Sequence, residues 1–307
     1  MTEQDVRLAI MRTLTWAETL GYAPTRAELL STLDVGKQDP DVPLCTPGFF
    51  GSCVDNMIQD RVLLERHGRV FFPESAEVID ASIQERDPLQ PRKRRRAQMV
   101  ARWLVRLAGV RCVALANTTA LGNARDEGDL DFFVIVRAGS IWTTRLLGAL
   151  PFRLLRQTPR PGFEKDAVCL SYFIADDALN LSMHQLTGED IYFRHWLLSL
   201  VPLCDDGVLA DFWHANISIR ASYPFAERWI VPPDLAISFP CVQLPVFAWF
   251  ESLARTMQMK WFPPAIRERM NTDTTVMVTD SVLKFHTTDG RATYRDAYRV
   301  ACHKRGI

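Results

Sequence analysis

The pattern of apolar residues predicts three helices and a β-hairpin in the first quarter of the chain. Val6, Ile10 and Leu14 recur at helical spacing. Two further segments also fit helices, TRAELLSTL and FFGSCVDNMIQDRVLL, and the first of them opens with a capping box. A His-Gly turn in the following ERHGRVFFP fits a hairpin. Three helices followed by a hairpin are typical of a winged-helix domain, which we expect over residues 1–74.

After this unit a connecting helix is predicted over residues 75–108, and strands then alternate with helices. The strand-like runs are VRCVALA, DFFVIV and AVCLSYFIA, within residues 110–175. The helical segments are predicted at 141–157, 189–203 and 207–218. We therefore expect an α+β sheet domain over residues 109–220 and a mostly helical C-terminal region over residues 221–307.

The composition argues against several classes of function but does not identify one. The 36 Lys and Arg residues balance 36 Asp and Glu residues, so the whole-chain charge does not point to nucleic-acid or membrane binding. The seven cysteines are scattered and show no C-x-x-C pair, which argues against a zinc site and against a disulfide framework. The chain shows neither a signal pattern nor an apolar run that would span a bilayer, so we expect a cytoplasmic protein without a transmembrane segment.

Two local charge patterns bear on binding partners. The run PRKRRR, residues 91–96, fits either a phosphate-binding segment or a solvated helix face. We favour the solvated face, because aromatic residues that would stack on nucleic-acid bases are missing nearby. The third predicted helix carries Asp55, Asp60 and Arg61, so its face is not basic. A protein partner therefore fits the N-terminal domain better than DNA does.

Two carboxylates stand where a buried strand begins. In LGNARDEGDLDFFVIV, Asp129 and Asp131 are one residue apart, and the apolar run Phe132 to Val136 follows at once. Side chains two residues apart on a strand point to the same side, so the two carboxylates project together. Adjacent carboxylates repel each other unless a cation lies between them. Mg²⁺ is the cation that we expect, because it prefers one or two carboxylates together with substrate phosphates.

The residues before this pair fit a phosphate-binding turn. ANTTALGNAR supplies two hydroxyl groups, several small residues, Gly122 and Arg125. A turn of small residues allows backbone N–H groups to approach phosphate oxygens. The signature motifs of P-loop ATPases, Rossmann dehydrogenases and α/β-hydrolases do not occur in the chain. The pattern therefore predicts a metal-assisted phosphoryl-transfer site at this turn.

The same stretch resembles the signature of the nucleotidyltransferase superfamily, which includes DNA polymerase beta and the small kanamycin-type and minimal nucleotidyltransferases. In that signature a Gly-Ser turn lies a short distance before a D-x-D motif on a strand. The whole chain also resembles a family of uncharacterised prokaryotic proteins in which a winged helix precedes this domain. The segments that carry this wider likeness are IWTTRLL, CLSYF, DIYFRH and DSVLKFHTTDGR. The resemblance covers nearly the full length and implies a nucleotidyltransferase-fold mixed β-sheet with a helical C-terminal part.

The resemblance implies roles for individual residues. Asp129 and Asp131 correspond to the acids that bind the metal and support catalysis. Asn117 and Thr118 stand at the position of the Gly-Ser turn, and Asn tolerates a left-handed backbone better than most residues. The further nucleotide-binding residues that we expect are Gly122, Asn123 and Arg125.

A third carboxylate, which active members of the superfamily often carry on a later strand, is not at the expected place. Ser171 occupies the centre of the matching strand, VCLSYF. The nearby acids are Asp166, Asp176 and Asp177. Lys284 and His286, in SVLKFH, either fold over the nucleotide or join the C-terminal part to the core.

We therefore expect a Mg²⁺-dependent nucleotidyltransferase that moves a nucleoside monophosphate from a nucleoside triphosphate to an acceptor. The sequence does not identify the acceptor, which is a small molecule, a protein or RNA. One alternative is a catalytically degenerate nucleotide-binding or scaffold protein on the same fold, which the altered turn and the displaced third acid favour. The other is a winged-helix regulator whose second domain senses a ligand.

Overall fold

The N-terminal unit contains the three helices and the hairpin that the apolar pattern predicts. The computed structural model describes residues 1–36, 43–245 and 248–307. Its first elements are α1 (Glu3–Thr19), α2 (Arg26–Ser31), α3 (Pro47–Gln59), β1 (Leu64–Arg66) and β2 (Arg69–Phe71). The assignment of these elements to a winged helix stays a prediction.

Side-chain caps explain where the first three helices begin. Thr2 and Thr25 each accept a hydrogen bond from the backbone N–H three residues later. The acid at that later position accepts a bond from the backbone N–H of the threonine, which completes a capping box. Thr46 caps α3 through its hydroxyl, and Pro47 fills the first helical position, where a missing N–H costs nothing.

Acidic residues line the exposed side of α3, as the sequence predicts. Asp55 forms an ion pair with Arg26 at 2.7 Å, and Asp60, directly after the helix, pairs with Arg7 at 3.1 Å. Two basic side chains of this surface, Arg7 and Arg26, are therefore engaged with carboxylates. The surface has no run of free basic groups among these residues that would attract the DNA backbone.

The connecting segment is two helices rather than the single helix predicted over residues 75–108. α4 (Ala76–Arg86) and α5 (Gln90–Leu104) are separated by a short 3₁₀ turn that contains Pro88. Proline has no N–H and its ring clashes with the preceding helical turn, so a continuous helix is broken here. Beyond the break, α5 packs on the sheet through the side chains of Ala97, Val100 and Leu104.

Six strands form one mixed sheet in the rest of the chain. They are β3 (Val110–Leu115), β4 (Leu130–Val136), β5 (Val168–Ala175), β6 (Val201–Asp205), β7 (Val276–Val278) and β8 (Val282–Phe285). Their order across the sheet is β6-β3-β4-β5-β8-β7. The pair β4–β5 is parallel and the other neighbouring pairs are antiparallel. The mixed sheet with its helices confirms the α+β class.

Three of these strands lie where the apolar pattern predicted helix. β6 overlaps the last three residues of the segment 189–203, and β7 and β8 fall inside the region 221–307. Periodicity does not distinguish a short apolar strand from part of a buried helix. Here the pairing of β6 with β3 and of β8 with β5 decides that these segments are strands. The sheet therefore extends into the C-terminal region, and β8 brings distant residues beside β5.

Helices cover both faces of the sheet. The remaining helices of the described residues are α6 (Asn117–Ala120), α7 (Ile141–Leu154), α8 (Ile191–Leu198), α9 (Val208–Ala215), α10 (Ala248–Trp261), α11 (Pro264–Arg269) and α12 (Arg291–Arg305). One face packs against α5, α7 and α10, and the other packs against α8 and α9. β4 shows the alternation directly, since Phe132 and Val134 face the first group whereas Phe133 and Ile135 face the second.

The last helix joins the sheet domain to the N-terminal unit. Trp16 of α1, Ile191 of α8 and Tyr298 of α12 form a small buried cluster. Arg305 at the end of α12 pairs with Glu18 of α1 at 2.7 Å. The N-terminal unit is thus packed against α8 and α12. None of the helices in the described parts of the chain is long and apolar enough to cross a membrane.

Candidate functional site

The two acids predicted to bind a metal lie together at the beginning of β4. One oxygen of Asp129, one oxygen of Asp131 and the Sγ atom of Cys169 all lie within 4.8 Å of one another. Asp131 pairs with Cys169 across the parallel β4–β5 ladder. This cluster is therefore consistent with the sequence prediction that the two carboxylates project to one side.

A bulge in β5 shapes the floor of the site. Asp131 is opposite Cys169 and Phe133 is opposite Tyr172, so β5 has one more residue than β4 between these pairs. A bulge bends the strand and redirects side chains, and bulges are frequent next to active sites. Here Cys169 and Ser171 both line the same cleft as the acid pair. We call this space, of about 600 Å³, the acidic cleft.

Asn117 holds one of the acids. Its backbone is left-handed, with φ of 54°, at the position where the resemblance implied a turn glycine. Asn117 Nδ2 donates a hydrogen bond of 2.7 Å to Asp131 Oδ2. Tyr192 Oη donates to Asn117 Oδ1 at 3.4 Å and so helps to orient the amide. The asparagine is therefore a positioning residue for Asp131 as well as a lining residue of the cleft.

The acid pair is electrostatically strained without a cation. Burial, followed by the negative charge of Asp131, raises the pKa of Asp129 from 3.8 to about 7. Burial also raises the pKa of Asp131, against the lowering effect of the hydrogen bond from Asn117. Near neutral pH the pair consequently holds a proton for part of the time. A bound cation would replace this proton and relieve the repulsion.

The donors present fit a hard divalent cation. Asp129 and Asp131 supply carboxylate oxygens, which are the ligands that Mg²⁺ prefers. Burial raises the pKa of the Cys169 thiol well above its ordinary value, and Cys169 Sγ donates to Ser171 Oγ at 3.3 Å. A sulfur atom is a soft ligand, whereas Mg²⁺ is a hard cation that prefers oxygen. The two carboxylates, rather than all three groups, are therefore the set that would hold the ion.

A lysine lies in the same cleft and forms no ion pair with a described residue, although the charges of Asp289, Asp190 and Asp273 act on it from beyond contact distance. Lys284 of β8 is 2% exposed, and among the described residues its Nζ atom makes no hydrogen bond or ion pair. The rings of Tyr172 and Phe193 are the groups near it, with centroids at 5.4 and 5.6 Å. Burial, then the charge of Arg291, lowers the pKa of Lys284 to about 7. An anion in the cleft would restore its charge.

Two neighbouring basic side chains of the cleft, Arg291 and His286, are already neutralised. Arg291 pairs with Asp289 at 2.7 Å and with Asp190 at 3.0 Å. Burial lowers the pKa of His286 to about 3, so its ring is neutral, and its Nε2 atom lies 3.3 Å from Ser171 Oγ. Inside the cleft the carboxylates therefore offer a place for a cation and the lysine offers a place for an anion, while Arg160 and Glu164 are exposed at its edge.

The structure places the other predicted nucleotide-binding residues away from the acidic cleft. Thr118 is exposed and lines a neighbouring pocket. Arg125 is exposed and lines neither that pocket nor the acidic cleft. Gly122 adopts a left-handed φ of 64° in the turn, and its carbonyl oxygen accepts a bond from Gln90 at 2.7 Å. Asn123 is buried, accepts from Arg86 at 2.6 Å and donates to the Gly21 carbonyl at 3.2 Å. These contacts join the turn to the N-terminal unit and to the connecting helices. The nucleotide-binding role of these residues stays a prediction.

Two of the acids near β5 form ion pairs elsewhere, and Asp177 is exposed just after the strand, outside the lining of the acidic cleft. Asp166 pairs with Lys93 at 2.9 Å, and Asp176 pairs with Arg111 at 2.9 Å. Glu164, which the sequence reasoning did not consider, is exposed at the rim of the acidic cleft, and its charge contributes to raising the pKa of Asp129. No sequence signal distinguishes it, because it lies in a loop whose path depends on tertiary contacts.

The basic run 91–96 holds the loop that leads into β4. The Lys93 side chain is fully buried, and its Nζ atom donates to the carbonyl oxygens of Asp126 and Gly128 and pairs with Asp166. Arg92 pairs with Asp126 at 2.6 Å. The run is thus partly a solvated helix face, as predicted, and partly an anchor that fixes the backbone just before Asp129.

Comparison of the chain with protein-family models, with curated proteins and with solved structures found no match. The function proposed below is therefore argued from the geometry of the acidic cleft and from the sequence pattern.

Proposed function

We propose that this chain is a Mg²⁺-dependent nucleotidyltransferase, which moves a nucleoside monophosphate from a nucleoside triphosphate to an acceptor hydroxyl or another nucleophile. One observation carries the proposal: a pair of adjacent carboxylates shares a cleft with a buried lysine that forms no ion pair with any described residue. Such a site is complementary to a metal–phosphate complex, which presents a cation to the acids and an anion to the lysine.

Each residue has a defined part in this proposal. Asp129 and Asp131 would hold Mg²⁺, and Asn117 would keep Asp131 oriented toward it through the 2.7 Å hydrogen bond. The bound Mg²⁺ would neutralise the charge that develops on the phosphate oxygens. Lys284 would contact the phosphates that leave as pyrophosphate, in a space largely closed to water where its charge is only weakly screened.

A second candidate is a protein that binds the nucleotide without transferring it. The third member of the cluster is Cys169, a neutral thiol, where a third carboxylate would serve as a base or as a second metal ligand. Among the described residues of the cleft, Glu164 at the rim is then the carboxylate that is free to take the proton of an acceptor hydroxyl, since Asp289 pairs with Arg291. The thiol in place of the third carboxylate favours binding without turnover.

The first test is the thermal stability of the protein with ATP, GTP, CTP and UTP, each with and without Mg²⁺. A nucleotide at about a hundred times its Kd should add roughly 2.7 kcal/mol to the free energy of unfolding. The shift should require Mg²⁺ and should disappear in the double variant Asp129→Asn/Asp131→Asn. Asp177→Asn is the matched control, because Asp177 is exposed just after β5 and should leave the shift unchanged.

A second experiment distinguishes the two candidate functions. It uses the nucleotide that gives the largest thermal shift, labelled at its α-phosphate. Label transferred to the protein, to RNA or to a small-molecule pool, and lost in Asp131→Asn, supports the transferase. A metal-dependent shift without transfer to any of these acceptors supports the binding protein. A nucleotide shift that persists in the double variant, or no shift at all, would rule out both.

Replacing Lys284 by methionine should weaken binding of that triphosphate by on the order of 30-fold, since a charge-assisted hydrogen bond contributes about 2 kcal/mol. Met fills a similar volume and removes a buried charge, so the variant should remain folded. Isothermal titration in the presence of Mg²⁺ measures the change. Lys304→Met, on the exposed side of α12, is the control. Equal affinities of the wild type and Lys284→Met would contradict the phosphate contact.

A further inference from the structure

The C-terminal end of α7 and the loop that follows it expose large apolar side chains. Leu154, Leu155 and Phe163 are 74%, 66% and 63% exposed. Leu150, one turn before Leu154 on the same helix, is 40% exposed, and Met99 of α5 is 46% exposed. Contiguous exposed apolar side chains on a folded protein mark a site of contact with a partner or a membrane. We call residues 150–165 together with Met99 the loop surface.

Met99 belongs to this surface because α5 lies beside the C-terminal part of α7. Trp103 Nε1 of α5 donates a hydrogen bond to the carbonyl oxygen of Gly148 at 3.1 Å. Arg96, one turn before Met99, donates to Gln157 Oε1 at 2.6 Å. Met99 lies between these two contacts along α5 and therefore next to the exposed end of α7.

The loop after α7 is closed at its base and exposed along its length. The backbone N–H of Val168 donates to the carbonyl oxygen of Gln157 at 2.7 Å, which joins the two ends of the loop. Arg156 at the helix end and Phe163 in the loop line one shared pocket. The guanidinium of Arg160 lies 4.3 Å from the centroid of the Phe163 ring. Apolar and basic side chains are therefore immediate neighbours on this surface.

The arginines of the loop surface are not neutralised by carboxylates. Arg153, Arg156 and Arg160 are exposed, and none of them forms an ion pair with a described residue. Residues 150–165 contain four basic residues and one acid, Glu164, although the whole chain is neutral. This local excess of positive charge would attract an anionic surface.

One kind of partner accounts for both the apolar and the basic side chains. Single-stranded nucleic acid would contact the arginines and stack on Phe163, but it would leave the leucines and Met99 uncovered. A symmetric contact with a second copy of the chain would bring unpaired arginines together, and like charges repel. The interface of an anionic bilayer takes up apolar side chains and places basic side chains at the lipid phosphates.

We propose that the loop surface binds anionic lipid bilayers from one side. Leu154, Leu155 and Phe163 enter the interface, and the three unpaired arginines contact the lipid headgroups. The binding does not depend on nucleotidyl transfer. Arg160 also lines the acidic cleft, so docking through the loop surface places the rim of that cleft next to the headgroups.

Co-sedimentation with lipid vesicles tests the proposal on the unmodified protein. The vesicles are pure phosphatidylcholine, or phosphatidylcholine with about 30% phosphatidylglycerol as the anionic lipid. We expect at least about tenfold stronger partitioning onto the anionic vesicles, since each arginine near the surface contributes about a factor of five. The partitioning should weaken as the salt concentration rises.

Two double variants locate the binding on the loop surface. Arg153→Gln/Arg156→Gln should weaken partitioning onto anionic vesicles by about 30-fold. Leu154→Ser/Leu155→Ser should weaken it by about tenfold, because both side chains lose the apolar area that enters the interface. All four side chains are exposed, so both variants should fold as the wild type does.

Two matched controls change the same residue types elsewhere. Arg61→Gln/Lys304→Gln removes two exposed positive charges after α3 and on α12, and Val78→Ser/Val300→Ser removes two exposed apolar side chains of α4 and α12. Both controls should partition as the wild type does. Equal partitioning onto neutral and anionic vesicles, or full partitioning of both loop variants, would overturn the proposal. Binding of single-stranded RNA without any binding of vesicles would also overturn it and would assign the surface to nucleic acid.

Discussion

Replacing Asp129 by asparagine should stabilise the metal-free protein by roughly 4 kcal/mol at about pH 8. In the folded state burial and the neighbouring Asp131 raise the pKa of Asp129 to about 7, whereas the unfolded chain has an ordinary carboxyl group. Folding therefore places a negative charge where it is unfavourable. Asparagine has nearly the same shape and no charge, so the variant avoids this cost.

The stability that Asp129→Asn gains over the wild type should increase with pH. From about pH 4 to about pH 7 the folded protein binds a proton at Asp129 that the unfolded chain has lost, so the stability of the wild type falls as the pH rises. The advantage of Asp129→Asn should consequently be absent near pH 4 and complete above about pH 7. The buried histidines His184, His195 and His286 have lowered pKa values and give the opposite slope in both proteins. Because the histidines contribute equally in both proteins, their contribution cancels in the difference between the unfolding free energies of the variant and the wild type.

Urea denaturation of both proteins across this pH range, in the presence of a chelator, measures the difference. Asp177→Asn should show no such gain, because that carboxylate is exposed. Added Mg²⁺ should stabilise the wild type and not Asp129→Asn. A gain that is the same at low and high pH, or one that Asp177→Asn reproduces, would contradict the assignment of the strain to the acid pair.

Replacing Lys93 by methionine should destabilise the protein by about 3 kcal/mol, although Met fills most of the space of the lysine stem. The Lys93 side chain is fully buried, and its ammonium group is bonded to Asp166 and to two backbone carbonyl oxygens of the loop before β4. Removing it takes a buried donor from all three acceptors, which Arg92, at 2.9 Å from Asp166, and the Asp166 N–H, at 3.2 Å from the Gly128 carbonyl oxygen, replace only in part. The free energy of unfolding in urea at neutral pH measures the loss.

Lys165→Met is the matched control for this prediction. Lys165 pairs with Asp126 of the same loop at 2.6 Å, but its side chain is 55% exposed. Exposed ion pairs contribute little, so the control should lose less than about 1 kcal/mol. Similar losses in the two variants would show that Lys93 does not anchor the loop through its buried bonds.

The local features of the site could be predicted from the sequence. Asp129 and Asp131 are two residues apart at the start of an apolar run, and the alternation of a strand is enough to bring such side chains together. The left-handed backbone of Asn117 follows from the residue type, since asparagine is one of the few side chains that adopts it readily. Both features depend on interactions between residues close in the chain.

The features that depend on distant contacts could not be predicted. Lys284 lies in the acidic cleft only because β8 pairs antiparallel with β5, placing Lys284 opposite Tyr172. Nothing near Lys284 in the sequence specifies this register, and the short apolar run around it fits a helix as well as a strand. The same reasoning applies to Asn123, which the sequence pattern assigned to the nucleotide and which contacts Gly21 and Arg86.

The position of β8 between β5 and β7 has a consequence for how the chain matures during synthesis. Lys284 follows Asp131 by about 150 residues. At the ordinary rate of translation, roughly 10–30 s pass between the appearance of the acids and that of the lysine. During this interval β5 is an edge strand whose unpaired backbone groups offer a template for another chain. Synthesis that stops before residue 282 would yield a polypeptide whose sheet edge at β5 stays open and prone to aggregation.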